Sequence, residues 1–232
     1  MLSLNIWIGY VLYAVLMYGI ALIIKKMSLM DMVWSLGLGA GAILLFTEAD
    51  TSSSIPWLSL GLILLWSMRM GTHLWFNRIL SDREDSRYQR LMDFSGDAWR
   101  WVFLLFFLIQ VFFIFIFLFP ISAAIGSSYA SFGPFHMIGF VIGILALIGE
   151  TISDLQLKRF SAHPENKQRV CKEGFWRYSR HPNYFFEWLF WCSFVGLAYG
   201  SDSFYLSFIG PIVMYLFLRY ITGVPFADMS SL

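Results

Sequence analysis

Charge is scarce in this chain. Of its 232 residues only 13% are charged against 58% hydrophobic, and mean hydropathy is +0.66. Soluble domains carry about 25% charged residues, so a water-soluble globule is excluded. Sixteen basic and 15 acidic residues leave a formal net charge of +1, too little to recruit nucleic acid or another polyanion by charge alone. Cysteine is nearly missing too. Cys171 lies in a basic loop and Cys192 in an apolar run, which gives no disulfide framework. No Asn-x-Ser/Thr sequon occurs. The four histidines, His73, His136, His163 and His181, form no HExxH pair or other metal-ligand spacing, so no metal is expected. His136 opens an outer helix end and is expected at the membrane–water interface. A Gly-x-Ser-x-Gly elbow and a cysteine nucleophile motif are also absent, which removes the common hydrolase signatures.

What is present is apolar sequence in long runs. A helix needs about 20 apolar residues to cross hydrocarbon, and seven stretches qualify or come close: 4–24, 31–47, 56–77, 100–120, 134–156, 183–200 and 204–221. Backbone in lipid must satisfy its own hydrogen bonds, so the expected fold is an all-α integral membrane protein, a bundle of about seven transmembrane helices in one domain. Residues 1–130 form its expected substrate side and 131–232 its cofactor side. The first run lacks a basic leader and a small-residue cleavage site, and reads as a retained helix. Helix four, with a single polar group at Gln110 across 106–117, is expected to face lipid. Lysine and arginine are missing from the N-terminus and from 48–55, 121–133 and 200–203. All 16 fall after run one, near the end of run three or in the loop after it, after run five, or at the end of run seven. With seven spans those places share one side, which the positive-inside rule makes cytoplasmic. The N-terminus is then outside and the C-terminus inside, in a bacterial inner membrane or an endoplasmic reticulum.

Polar residues within the runs cluster at the inner ends. Arg69 and His73 lie one turn apart in run three, Glu150 and Asp154 share a face in run five, and Asn183 and Glu187 do so in run six; Arg219 ends run seven. Intramembrane ionisable groups persist where they pair or line a wet cavity, and this common depth points to one cytoplasmic chamber. Pairing between helices as simple packing glue is the plainer alternative. Residues 177–187, Arg-Tyr-Ser-Arg-His-Pro-Asn-Tyr-Phe-Phe-Glu, concentrate two arginines, a histidine, an amide and a carboxylate just before an apolar run. Loop 157–182 holds seven basic residues, suited either to phosphates or simply to topology. The glycines of 35–41 lack the strand–turn–helix setting of a nucleotide loop; Gly37 and Gly41 instead offer small-xxx-small spacing for close helix contact.

These residues resemble a known family. Glu150-x-x-x-Asp154-Leu-Gln-Leu-Lys-Arg-Phe followed by Gly174-Phe-Trp-Arg-Tyr-Ser-Arg-His-Pro-Asn-Tyr-Phe-x-Glu187 is similar to the DUF1295 group, related to the C-terminal domain of steroid 5-alpha-reductases. Asp31-x-x-Trp34 and Leu65-Trp-Ser-x-Arg69-x-x-x-His73 fit as well. The resemblance implies a membrane-embedded, NADPH-dependent reductase of a carbon–carbon double bond in a sterol-like or other enone lipid. By position it puts the cofactor-contacting acid at Asp154, the phosphate-side arginine at Arg169 and the arginine of the last helix at Arg219. Asn183 and Tyr184 would hold the cofactor's polar body, with Tyr178 and His181 in the same stretch. Arg180 would join Arg169 at the phosphates, and Glu187 would order the residues behind them. Asp31, Arg69 and His73 would face the substrate as catalytic candidates. Two departures stand out: the family has glycine where this chain has Phe186, and it carries a Tyr-rich basic tail beyond the point where this sequence stops. The rival readings are an S-adenosylmethionine-dependent membrane methyltransferase of the isoprenylcysteine or phospholipid type, and a non-catalytic lipid-binding membrane protein. The paired-glutamate motif expected of such a methyltransferase near its C-terminus is missing here.

Overall fold

Helices carry the apolar runs, as backbone chemistry in hydrocarbon requires. A computed structural model describes residues 4–81, 84–127, 131–166 and 169–221, and among these there is no strand. In chain order the helices are α1 (Leu4–Ile24), α2 (Leu29–Thr47), α3 (Ile55–Leu74), α4 (Ser86–Ser95), α5 (Trp99–Ile125), α6 (Pro134–Ala162), α7 (Pro182–Leu197) and α8 (Ile209–Leu216). Four stretches are long and apolar enough to cross a membrane: Ile6–Ile24, Leu29–Thr47, the apolar part of Ser86–Ile125, and Pro134–Ala162. The last apolar run is not one regular helix: α8 is flanked by a 3-10 turn, Phe204–Phe208, and a π-turn, Phe217–Ile221. Another π-turn, Trp75–Ile79, prolongs α3. Helix α4 lies where only a loop was expected. The Asp85 side chain caps it by accepting the Arg87 backbone N–H at 2.9 Å, and Gly96, at φ +51°, ends it.

The chain divides into two compact units. The first comprises residues 1–47 and 63–118. In it α5 packs one face into the core and leaves apolar side chains exposed on the other. Phe103, Phe107, Val111, Ile114 and Phe117 recur at helical spacing and are buried, while Leu105 and Phe112 on other faces are exposed. Trp7 stacks on Phe115, Tyr18 meets Phe107 edge-on, and Trp34 sits edge-on to both Trp66 and Phe117. Gly37 and Gly41 seat side chains: a Cβ on either would collide with Ile114 or Leu118 of α5, and the Tyr10 hydroxyl donates to the Gly37 carbonyl at 2.7 Å. Between α2 and α3 the close partner is Gly39, against Ser67, whose hydroxyl donates to the Ser35 carbonyl at 2.7 Å.

The second unit comprises residues 48–62 and 119–232. Its centre is the α6–α7 pair. The buried face of α6 is His136, Gly139, Gly143, Ala146, Gly149, Glu150 and Ser153, mostly small side chains at spacings of three and four. Lipid tails are as apolar as leucine, so helices in a bilayer gain by close packing rather than by escaping water. Gly139 and Gly196 meet backbone to backbone: a Cβ on Gly139 would lie 2.7 Å from the Ser193 carbonyl oxygen, and one on Gly196 the same distance from the Gly139 Cα. His136, in the first turn of α6, is buried within the protein. Its Nδ1 accepts the Gly133 N–H at 3.1 Å, so Nε2 carries the proton and donates to the Tyr199 carbonyl at 2.8 Å. This ring ties the start of α6 to the end of α7.

Candidate functional site

Two groups of polar side chains stand out, one in each unit. In the second unit, the entrance to α7 is built for display. Pro182 occupies the first helical position, where its missing N–H costs nothing. Asn183 follows. Its Oδ1 accepts the Tyr184 N–H at 3.1 Å, and its Nδ2 donates to Asp154 Oδ1 of α6 at 3.2 Å. The Tyr184 ring stacks on His181, with centroids 5.1 Å apart.

The preceding loop is seated on the same part of α6. Trp176 Nε1 donates to the Ser153 carbonyl at 2.9 Å, and the Phe175 N–H to Gln156 Oε1 at 3.0 Å. Gly174 is favoured by its backbone, at φ +55°, and it lies against the Gln156 amide, which a Cβ would have to push aside. Phe186 lies over Gly149, where its ring fills the space a Cβ would take, and it meets Phe175 edge-on. Close approaches of residues 139 to 196, 143 to 193, 149 to 186 and 154 to 183 define an antiparallel register. That register sets Glu150 level with Glu187, both buried, and Glu187 accepts Trp191 Nε1 at 2.9 Å.

Asp154, Asn183, Tyr184 and His181 therefore gather at the α6–α7 end, with Glu187 one turn further along. Arg169, Tyr178 and Arg180 are exposed in the connecting segment. Arg219 is exposed in the last π-turn, its guanidinium 5.6 Å from the Tyr220 ring centre.

In the first unit, Asp31 lies in the first turn of α2. Its carboxylate is paired with Arg78, lies 3.5 Å from Arg87, and accepts the Tyr88 hydroxyl at 2.6 Å. Arg87 also pairs with Asp85 at 2.9 Å. Glu84 accepts the backbone N–H groups of Met27 and Ser28, just ahead of α2, where the helix dipole favours a carboxylate. Arg69 and His73 lie half-buried on α3. Sequence reasoning singled out Asp31 but not Arg78, Asp85, Arg87 or Tyr88. The arginine density after α3 was read as topology alone, although Asp85 two residues before Arg87 is a helix-capping signal.

Burial acts to raise the Asp85 pKa, but hydrogen bonds from Arg87 and the charges of Arg87 and Arg78 outweigh it and hold the carboxyl below its ordinary value. A lowered folded-state pKa adds stability above the unfolded value of about 3.9, and that stability is lost as pH falls through the folded value. Arg87→Ala is accordingly expected to destabilise the protein at pH 7 by about 1 kcal/mol, a modest figure because the arginine is partly solvent-screened. Thermal melts should show the gap to the parent protein shrinking below about pH 4; a gap constant down to pH 2.5 would contradict the pairing.

Helices of this length and composition make the chain an all-helical membrane protein. It belongs to the family described as Protein of unknown function (DUF1295), whose model matches residues 17–232. That match covers both polar groups. No curated protein and no solved structure matches the chain.

Proposed function

We propose that the protein is an NADPH-dependent reductase of a carbon–carbon double bond in an enone lipid, sterol-like or otherwise. The observation that carries this reading is the Asn183–Asp154 hydrogen bond across α6 and α7, beside a loop seated on α6 and bearing exposed Tyr178 and Arg180. The donor set suits such a cofactor. An amide fixed by its own helix and a carboxylate match the hydroxyls and carboxamide of a dinucleotide, and exposed guanidinium groups match its phosphates. Asp154, Asn183 and Tyr184 would hold the polar body, Arg169 and Arg180 the phosphates, and Arg219 an outer edge, with His181 and Tyr178 flanking. Buried Glu187, bonded to Trp191, keeps α7 rigid behind them. When bound, NADPH supplies the hydride. On the protein's side, negative charge that builds on the substrate carbonyl oxygen needs a fixed donor. Arg69 and His73 are the candidates for it, and Asp31 would hold Arg78 and Tyr88 in place. The positive-inside rule applied to the basic loops would put the C-terminus in the cytoplasm, the compartment that offers NADPH.

Equilibrium binding to the purified full chain in detergent tests this directly. Saturable binding of NADPH, tighter than NADH because of the arginines, is expected. Binding of S-adenosylmethionine in its place would make the protein a methyltransferase. Retention of a lipid with affinity for neither cofactor would make it a lipid-binding protein.

A further inference from the structure

Helix α4 is a polar helix that bares an aromatic ring. Phe94 in its last turn is 90% exposed, and Trp101 in the first turn of α5 is 75% exposed. Rings left this bare in water would forgo the gain from burial.

Both ends of α4 are held at one level of the first unit. Ahead of it, Glu84 accepts the N–H groups of Met27 and Ser28 in the turn between α1 and α2, and Lys26 donates to the Ser81 carbonyl. The Tyr88 hydroxyl then donates to Asp31 in the first turn of α2. At the far end only Gly96–Ala98 separates α4 from α5. The level of α5 is fixed by α1, against which it runs antiparallel: Trp7 stacks on Phe115, and Tyr18 meets Phe107. That register sets Trp99 beside the end of α1 at Ile24, and the Tyr18 hydroxyl donating to the Arg100 carbonyl agrees with it. Ile6–Ile24 and Leu29–Thr47 are each long and apolar enough to cross a membrane. The end of α1, the start of α2 and the start of α5 therefore mark one membrane boundary. Ten residues make α4 about 15 Å long at 1.5 Å per residue. Tied to the boundary at both ends, it lies along it.

The rotation of α4 follows from its residues. Buried Tyr88 faces the bundle, its ring edge-on to Phe103 of α5. At 3.6 residues per turn Ser86, Arg90 and Asp93 fall on the opposite side, and all three are exposed. Leu91 and Phe94 take a flank between these two sides. Phe94 thus points sideways, along the boundary and away from the bundle. Charge recruits no other partner there. Arg87 is engaged by Asp31 and Asp85, and the exposed Arg90, Asp93, Asp97 and Arg100 balance one another. An aromatic ring with mixed polar neighbours at this level suits the layer between lipid headgroups and acyl chains.

We infer that α4 is an in-plane interfacial helix, whose Leu91–Phe94 flank docks, together with Trp101, into the headgroup–acyl boundary of the surrounding phospholipid. This goes beyond the reductase reading and stands without it. The test places trifluoromethylphenylalanine, one site at a time, in place of Phe94, Trp101 or Asp93 in the full chain. Each protein is studied in phosphatidylcholine nanodiscs without NADPH, and fluorine NMR relaxation is read against two probes. One is a water-soluble gadolinium chelate; the other is phosphatidylcholine with a nitroxide near the top of its acyl chain. Residues 94 and 101 are expected to relax about threefold or more faster with the lipid nitroxide than with the chelate, and residue 93 the reverse. The new ring is close in size to phenylalanine and sits at exposed positions, and melting temperatures near the parent's show that the substituted proteins fold. Residue 94 decides. Faster relaxation there by the chelate would place α4 in water and overturn the inference. Protection of residue 94 from both probes would overturn it too, because another protein or a second copy of the chain would then cover the flank.

Discussion

Asn183→Ala is expected to weaken NADPH binding by about 10- to 100-fold. Hydrogen bonds to charged groups contribute about 1.5–3 kcal/mol, and each 1.4 kcal/mol is tenfold in affinity. The amide serves both as a donor to Asp154 and as the acceptor that satisfies the Tyr184 N–H at the start of α7. Alanine removes both, so a second variant is needed to separate site from fold. Asn183→Asp keeps the acceptor at the helix N-terminus, where a carboxylate is favoured, but sets a like charge against Asp154. Its α7 should remain intact while affinity falls at least as far. Titration calorimetry on both proteins, with melting temperatures alongside, reads the two effects separately. Unchanged NADPH affinity in both would remove the Asn183–Asp154 pair from the site.

The largest loss of stability is expected from the α6–α7 crossing. Gly139→Leu or Gly196→Leu forces a side chain into backbone 2.7 Å away. Overpacking a close interior costs about 1–3 kcal/mol, and more where the obstacle is backbone that cannot turn aside. Since a protein's whole stability is about 5–15 kcal/mol, either variant should lose a large part of it. Gly61→Leu is the matched control, because a Cβ there meets nothing within 4 Å. Thermal unfolding in detergent should show both crossing variants well below the parent and Gly61→Leu beside it. Parent-like melting of Gly139→Leu would mean that the helices do not meet backbone to backbone.

The helices were largely readable because length and apolarity decide them: α1, α2, α3, α5, α6 and α7 start within two residues of the runs in the sequence, and α6 continues beyond its run to Ala162. Helix α4 was hidden because its polar composition resembles a loop, and only the Asp85 cap marks its start. The small residues from Gly139 to Ser153 carry helical spacing in plain view, yet glycine spacing drew notice at Gly37 and Gly41, which seat side chains rather than a helix backbone. Asp154 and Asn183 could be suspected as partners from their common depth. Asp31's partners could not, since Arg78, Arg87 and Tyr88 lie 47 to 57 residues away and nothing local in a sequence encodes such a meeting. Phe186 is a case of compensation: the bulky residue lies on Gly149, whose missing side chain makes its room.

The most direct test of the central claim follows the hydrogen. Membranes containing the protein, given NADPH deuterated at the transferring position, should yield a lipid that has lost a double bond and carries deuterium at one of its two former alkene carbons. The same membranes with Asn183→Asp should yield little of it. If no lipid gains deuterium while NADPH remains intact, or if a labelled methyl group from S-adenosylmethionine appears in a lipid instead, the reductase account is wrong.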